Sequence, residues 1–121
     1  MIHLDTNFLI QSLMPGNSCA IRLHHWLATN EEVEICTIVW SEFLCGPISS
    51  SELALARQVF PSCVAFLTED AERSADLFNR TVPAAWLDCQ IASVAFRRNA
   101  GLATVKTNDS KIFQRFGLQL M

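Results

Sequence analysis

Ile2-His3-Leu4 is an apolar run that stops at Asp5-Thr6-Asn7, a group of helix-capping residues, and so predicts a short strand running into a helix. Asp5 then stands at a strand end. Beyond the Pro15-Gly16-Asn17 break, Ile21, Leu23, Trp26 and Leu27 recur at helical spacing. Residues 33–40, VEICTIVW, alternate and then run apolar, as a buried strand does, and a helix is expected from Ser41-Glu42 onward. Gly46-Pro47 punctuates the chain, Ser49 to Ser51 offer caps, and Leu53, Ala56 and Phe60 share one helical face. SCVAFL (62–67) reads as a third strand. Thr68 to Glu72 cap a helix over ERSADLFNR, and WLDCQIASVAFRR (86–98) is helical after the Val82-Pro83 break. LATV (102–105) is a fourth strand, followed by a helical turn around Ile112 to Phe116 and a last strand at LQL (118–120).

Strands alternating with helices imply right-handed crossovers and an α/β fold, with a mainly parallel sheet of four to five strands flanked by helices. Active residues in such a fold gather beyond the carboxyl ends of the strands. The 121 residues, 50% of them hydrophobic and 17% charged, suit a single domain over 1–121 and exclude a disordered chain. The longest uncharged stretch, Thr6 to Ile21, is interrupted by Gln, Pro, Gly and Asn, so no signal peptide or membrane span is expected. Five cysteines, odd in number and without a CxxC, read as buried small hydrophobes in a reducing cytoplasm.

Net charge is −3, which argues against a protein gripping nucleic acid by bulk positive charge. Its distribution is uneven. Residues 1–79 carry three arginines against ten acids, whereas 80–121 carry six basic residues against Asp88 and Asp109, so the last third is expected to present a basic surface.

Four acids stand apart from the rest. Asp5 follows the first strand, Glu42 the second, Asp88 lies near the start of a late helix, and Asp109 follows the fourth strand. Their neighbours are mostly apolar or small, so an unpartnered carboxylate there costs desolvation energy and calls for a counter-charge. Basic residues are missing from these segments. A divalent cation with oxygen ligands, Mg²⁺ or Mn²⁺, answers that need, while zinc lacks its His and Cys spacing. Each acid taken alone also reads as a helix cap or first-turn dipole partner.

MIHLDTNFLI, WSEFLCGP, LDCQIASVAF and the terminal LATVKTND with FGLQL together resemble a PIN-domain ribonuclease of the VapC toxin type, in the right order over nearly the whole chain. The resemblance implies a PIN-like three-layer fold and an acidic Mg²⁺ or Mn²⁺ pocket that cuts single-stranded or looped RNA. It implies metal-binding and catalytic roles for Asp5, Glu42 and Asp88. Asp109 takes the fourth site in either of two registers, one of which sets Lys106 where relatives often have Asn, the other Ile112 where they have a later acid. Thr6 and Asn7 match residues beside the first acid that orient water or phosphate. A Gly- and Arg-rich stretch usual before Asp88 is replaced by residues 81–86, leaving Arg80, Arg97 and Arg98 as substitutes for RNA contact, beside Lys106.

The same resemblance implies a homodimer and a cognate antitoxin that blocks the pocket. A surplus of large hydrophobes in FLIQSLM and IRLHHWLA accords with a partner interface. Two alternatives stand beside the nuclease. One is a catalytically silent PIN-like binding module; the other is a phosphoacceptor receiver domain, which requires an acidic pair after the first strand, where Asp5 stands alone.

Overall fold

The structure, a computed structural model, describes residues 1–81 and 84–121. The expected Val82-Pro83 break lies outside the described residues. β1 (Ile2–Leu4) is the central strand, and all three of its residues are buried, which is why it reads as an unbroken apolar run. It pairs in parallel with β2 (Val33–Glu34) on one side and β3 (Gly101–Ala103) on the other, giving the order β2-β1-β3. Isolated parallel bridges Cys36↔Val64 and Leu102↔Leu120 extend the sheet at its two edges. The segments expected as third and fifth strands therefore contribute one bridging residue each, and the α/β fold with a parallel sheet stands.

Seven helices surround this sheet among the described residues: α1 (Thr6–Ser12), α2 (Ser18–Ala28), α3 (Thr37–Cys45), α4 (Ser50–Val59), α5 (Thr68–Arg80), α6 (Trp86–Arg97) and α7 (Thr107–Gln114). The core joins Leu4 and Leu102 of the sheet to Phe8, Phe43, Ile91, Val94 and Phe113 from four of them. Gly117, at φ +96°, closes the turn after α7 in a conformation that a side chain would strain, and the returning chain buries Leu118.

One expectation fails. Residues 37–40, read as the end of the second strand, form the first turn of α3. Their β-branched and aromatic character favours a strand only where it fits a pleated surface, and here Val39 and Phe43, four apart, bury one helical face instead. Thr37 marks the change of structure. Its amide donates to the Val64 carbonyl (2.9 Å) while its hydroxyl accepts from the Phe66 amide (3.1 Å), so the chain leaves the sheet there. Glu42 consequently sits inside a helix and not at a helix start.

Three of the six basic residues in the last third are spent on ion pairs, Arg80, Arg97 and Arg98. Arg97 Nε donates to both oxygens of Asp70 (2.8 and 3.0 Å) and its Nη2 to the Ala65 carbonyl (2.8 Å). Asp70 Oδ2 also accepts from the Leu67 amide (2.8 Å), so one carboxylate, 1% exposed, ties the start of α5 to the end of α6. Arg98 is bound to Glu34 at 3.1 to 3.2 Å, and Glu34 further meets His3 Nδ1 at 3.2 Å. Burial pushes the Glu34 carboxyl up, but these partners outweigh it and hold the group below its ordinary range. His3 is fully buried in β1, and its Nε2 has no hydrogen-bond partner among the described residues.

Arg97→Ala leaves Asp70 buried without its cation, so urea denaturation is expected to show a loss of about 3 kcal/mol. Arg97→Lys should recover only part of it, since a point charge cannot reach both the carboxylate and the Ala65 carbonyl. Stability equal to that of the unsubstituted protein in both variants would contradict the clamp.

Candidate functional site

The site grows from the register of the sheet. Leu4 pairs with Ala103, so the next residues, Asp5 and Thr104, leave the carboxyl ends of adjacent strands together. The Asp5 amide donates to the Ala103 carbonyl (3.0 Å), which pins the residue to that edge. Its backbone is extended and its Oδ1 accepts from the Phe8 amide (2.8 Å), making Asp5 the N-cap of α1 as well. Cap and cleft wall are one residue.

Glu42 reaches the same place from the second turn of α3, where its Oε1 accepts the Thr6 hydroxyl at 2.7 Å. Asp88 enters from the first turn of α6. A cleft of about 110 Å³ is lined by Asp5, Thr6, Asn7, Glu42, Asp88 and Lys106, with Ile91 as its apolar wall. An adjoining recess of about 370 Å³ shares Asp88 and Lys106 and adds Asp109. Three of the four acids singled out from the sequence thus share one cleft, and the fourth faces Asp88 from the recess next door.

Burial pushes the Asp5 carboxyl above its ordinary range; the Thr104 hydroxyl and Phe8 amide oppose this, the Asp88 charge adds to it, and Lys106 opposes it. Asp88 is likewise raised, by burial first. Lys106 works against that rise, and the charges of Glu42 and Asp109 reinforce it. One lysine therefore serves several acids, and the site has an unmet demand for positive charge.

The acids share a cleft without forming a finished coordination sphere: among the described residues no three His, Cys, Asp or Glu side chains converge closely enough to hold an ion. The donor set suits a hard divalent cation all the same. It consists of carboxylate, hydroxyl and amide oxygens around a polar opening, with no sulfur or imidazole.

Among the expected substrate contacts, Thr6, Asn7 and Lys106 line the cleft. Arg80 and Arg97 do not. Arg80 pairs with Asp76 at 3.1 Å, four residues back on an exposed face of α5, and Arg97 is held by Asp70, as Arg98 is by Glu34. Sequence reasoning missed Thr104. It was read as the interior of a strand through Val105, yet it is a buried hinge whose hydroxyl accepts the Lys106 amide (3.0 Å) while facing Asp5. Nothing local marks it in the sequence; its place beside Asp5 comes from the register of β1 against β3.

The chain belongs to the PIN domain family, whose family model matches residues 2–117. Its fold is similar to that of VapBC2 from Rickettsia felis, a complex bound to a DNA fragment from its promoter, at a TM-score of 0.77 and 24% identity over 100% of this chain and 98% of that one. A toxin-antitoxin complex from Klebsiella pneumoniae matches at a TM-score of 0.75 and 23% identity over 91% and 90% of the two chains. DNA-bound VapBC from Salmonella typhimurium matches at 0.72 and 22%, over 99% and 96%. No curated protein matches by sequence. Family membership displaces the receiver-domain alternative, and Glu69-Asp70 accords with that: the pair opens α5, where Asp70 is locked to Arg97.

A carboxyl raised by folding costs stability when it is ionised: stability is fully present below the unfolded value near 4 and falls as pH rises through the raised folded value. Asp88→Asn is therefore expected to raise the Tm at pH 7 in a chelator, with the difference vanishing below about pH 4. A Tm at pH 7 equal to or lower than that of the unsubstituted protein would show that Asp88 is not strained by its surroundings.

Proposed function

We propose that this chain is a metal-dependent endoribonuclease and the toxin of a toxin-antitoxin pair. The observation carrying this reading is the meeting of Asp5, Glu42 and Asp88, from β1, α3 and α6, in one cleft whose carboxylates outnumber its single lysine. Asp5, Glu42 and Asp88 would hold a Mg²⁺ or Mn²⁺ ion directly or through water, with Asp109 positioning a second ion or a water from the recess. When bound, such an ion neutralises charge on the phosphate and lowers the pKa of an attached water.

The chain's own groups do the positioning. The Thr6 hydroxyl fixes the Glu42 carboxylate, the Phe8 amide fixes one oxygen of Asp5, and Asn7 offers an amide to a water or a phosphate oxygen. Lys106, at the boundary of cleft and recess, places an ammonium where a non-bridging phosphate oxygen would approach. Water adds to phosphorus and gives up a proton to solvent, the bond from phosphorus to the leaving ribose oxygen breaks, and that oxygen takes a proton from solvent, so that no side-chain nucleophile is required.

Partners follow the same reading: an RNA substrate, a cognate antitoxin and a second copy of the chain. Ser12, Leu13, Leu23, Leu27, Leu55 and Val59 line an apolar groove of about 190 Å³, and nearby Ile21 is 64% exposed; such a face suits a protein partner. The likeness to toxin-antitoxin complexes supports an antitoxin as a partner. No helix among the described residues is long and apolar enough to cross a membrane.

Asp5→Asn keeps a side-chain oxygen to cap α1, so the variant is expected to fold while Mn²⁺-stimulated RNA cleavage falls at least about 100-fold. Asp88→Asn should behave alike. Cleavage by both variants at the original rate would remove these two acids from the chemistry, whereas no cleavage by the unsubstituted protein with either ion would leave a catalytically silent binding module as the reading.

A further inference from the structure

The two neighbouring cavities differ in size and chemistry, and that difference carries an assignment. The acid cleft, at about 110 Å³, is the smaller of the two, and apart from Ile91 its lining is charged and polar. It suits a hydrated ion and phosphate oxygens. The adjoining recess, at about 370 Å³, falls within the range of sites that enclose small organic groups.

We infer that this recess is a nucleoside subsite, taking one nucleotide beside the cut phosphate and reading its base through Asn108. The inference rests on the nuclease reading and deepens it. Ala84, Ala85 and Ile112 give the recess an apolar lining against which a base can lie, while Asn108 brings both an amide donor and an acceptor. Asn108 is exposed in the first turn of α7 and makes no hydrogen bond to another described residue, so its amide is available to a base edge. Its two functions match the paired donor and acceptor that bases present.

Charge selects the neutral part of the nucleotide. Asp88 and Asp109 both line the recess and repel a second phosphate, whereas Lys106 stands where recess and cleft join. A chain lying across the site therefore sets its phosphate at Lys106 and its base in the recess. The position of Lys106 is fixed through its backbone, since its amide donates to Thr104 and its residue caps α7. Ile112 faces the recess without charge, which leaves space for an uncharged ring.

Cleavage sites mapped on a random-sequence RNA with Mn²⁺ test this assignment. The unsubstituted protein should show a base preference at one position flanking the cut, and Asn108→Ala should reduce that preference about tenfold. Ala85→Trp, which fills the recess from its exposed rim, should flatten it too. A second reading avoids turnover: in the Asp5→Asn background, fluorescence anisotropy with an oligonucleotide of the preferred sequence should weaken about tenfold on adding Asn108→Ala. Unchanged preference and binding in both variants, or no flanking preference at all, overturns the subsite while leaving the nuclease intact. Variants that alter only inhibition by an antitoxin make the recess a protein-binding site and also overturn it. Absence of any cleavage by the unsubstituted protein removes the nuclease reading and the subsite together.

Discussion

Carboxylates gathered at the covered end of a parallel sheet repel one another, and much of this molecule is arranged around that repulsion. The sheet is buried on both faces, so its carboxyl edge is the place where polar groups can emerge from the core. Asp5 emerges there because it ends the central strand, and the dry surroundings that make the edge rigid also raise its carboxyl. Asp88 bears the same strain from the opposite wall. Burial raises both of these carboxyls, so ionising them at neutral pH costs the fold stability.

The allocation of cations sharpens the point. Arg97, Arg98 and Arg80 belong to the basic last third of the chain, and each is paired with an acid from the preceding part, Asp70, Glu34 and Asp76. Opposite charges that look segregated along the sequence cancel across the fold. The pairs of Arg97 and Arg98 fasten the C-terminal end of α6 to the start of α5 and to β2. Lys106 is the cation left at the cleft among the described residues. A single flexible ammonium serving several carboxylates is a weak neutraliser, which leaves the site responsive to what binds.

Local chemistry made several features readable in advance. Asp5 combined a strand end with a capping triplet, Asp88 stood among mostly apolar or small neighbours, and cap signals with helical spacing marked α4, α5 and α6 as helices. Segment 37–40 was misread because β-branched runs are ambiguous without their surroundings: a buried helical face and a buried strand demand the same residues. The guanidinium partners were equally hidden, since Arg97 and Asp70 lie 27 positions apart and nothing local marks either as the other's counter-ion.

By itself the sequence determined the alternation of strands and helices, the likeness to the PIN family and the identity of the acids, all of which depend on short-range pattern and residue type. Tertiary structure decided which of them meet: that Glu42 approaches from within a helix and is held by Thr6, that Asp109 faces a neighbouring recess, and that Thr104 stands beside Asp5. Those outcomes turn on strand register and helix packing, where one residue of slip or half a turn of rotation moves a side chain to another face. Such displacements leave the composition and the local pattern of the chain unchanged.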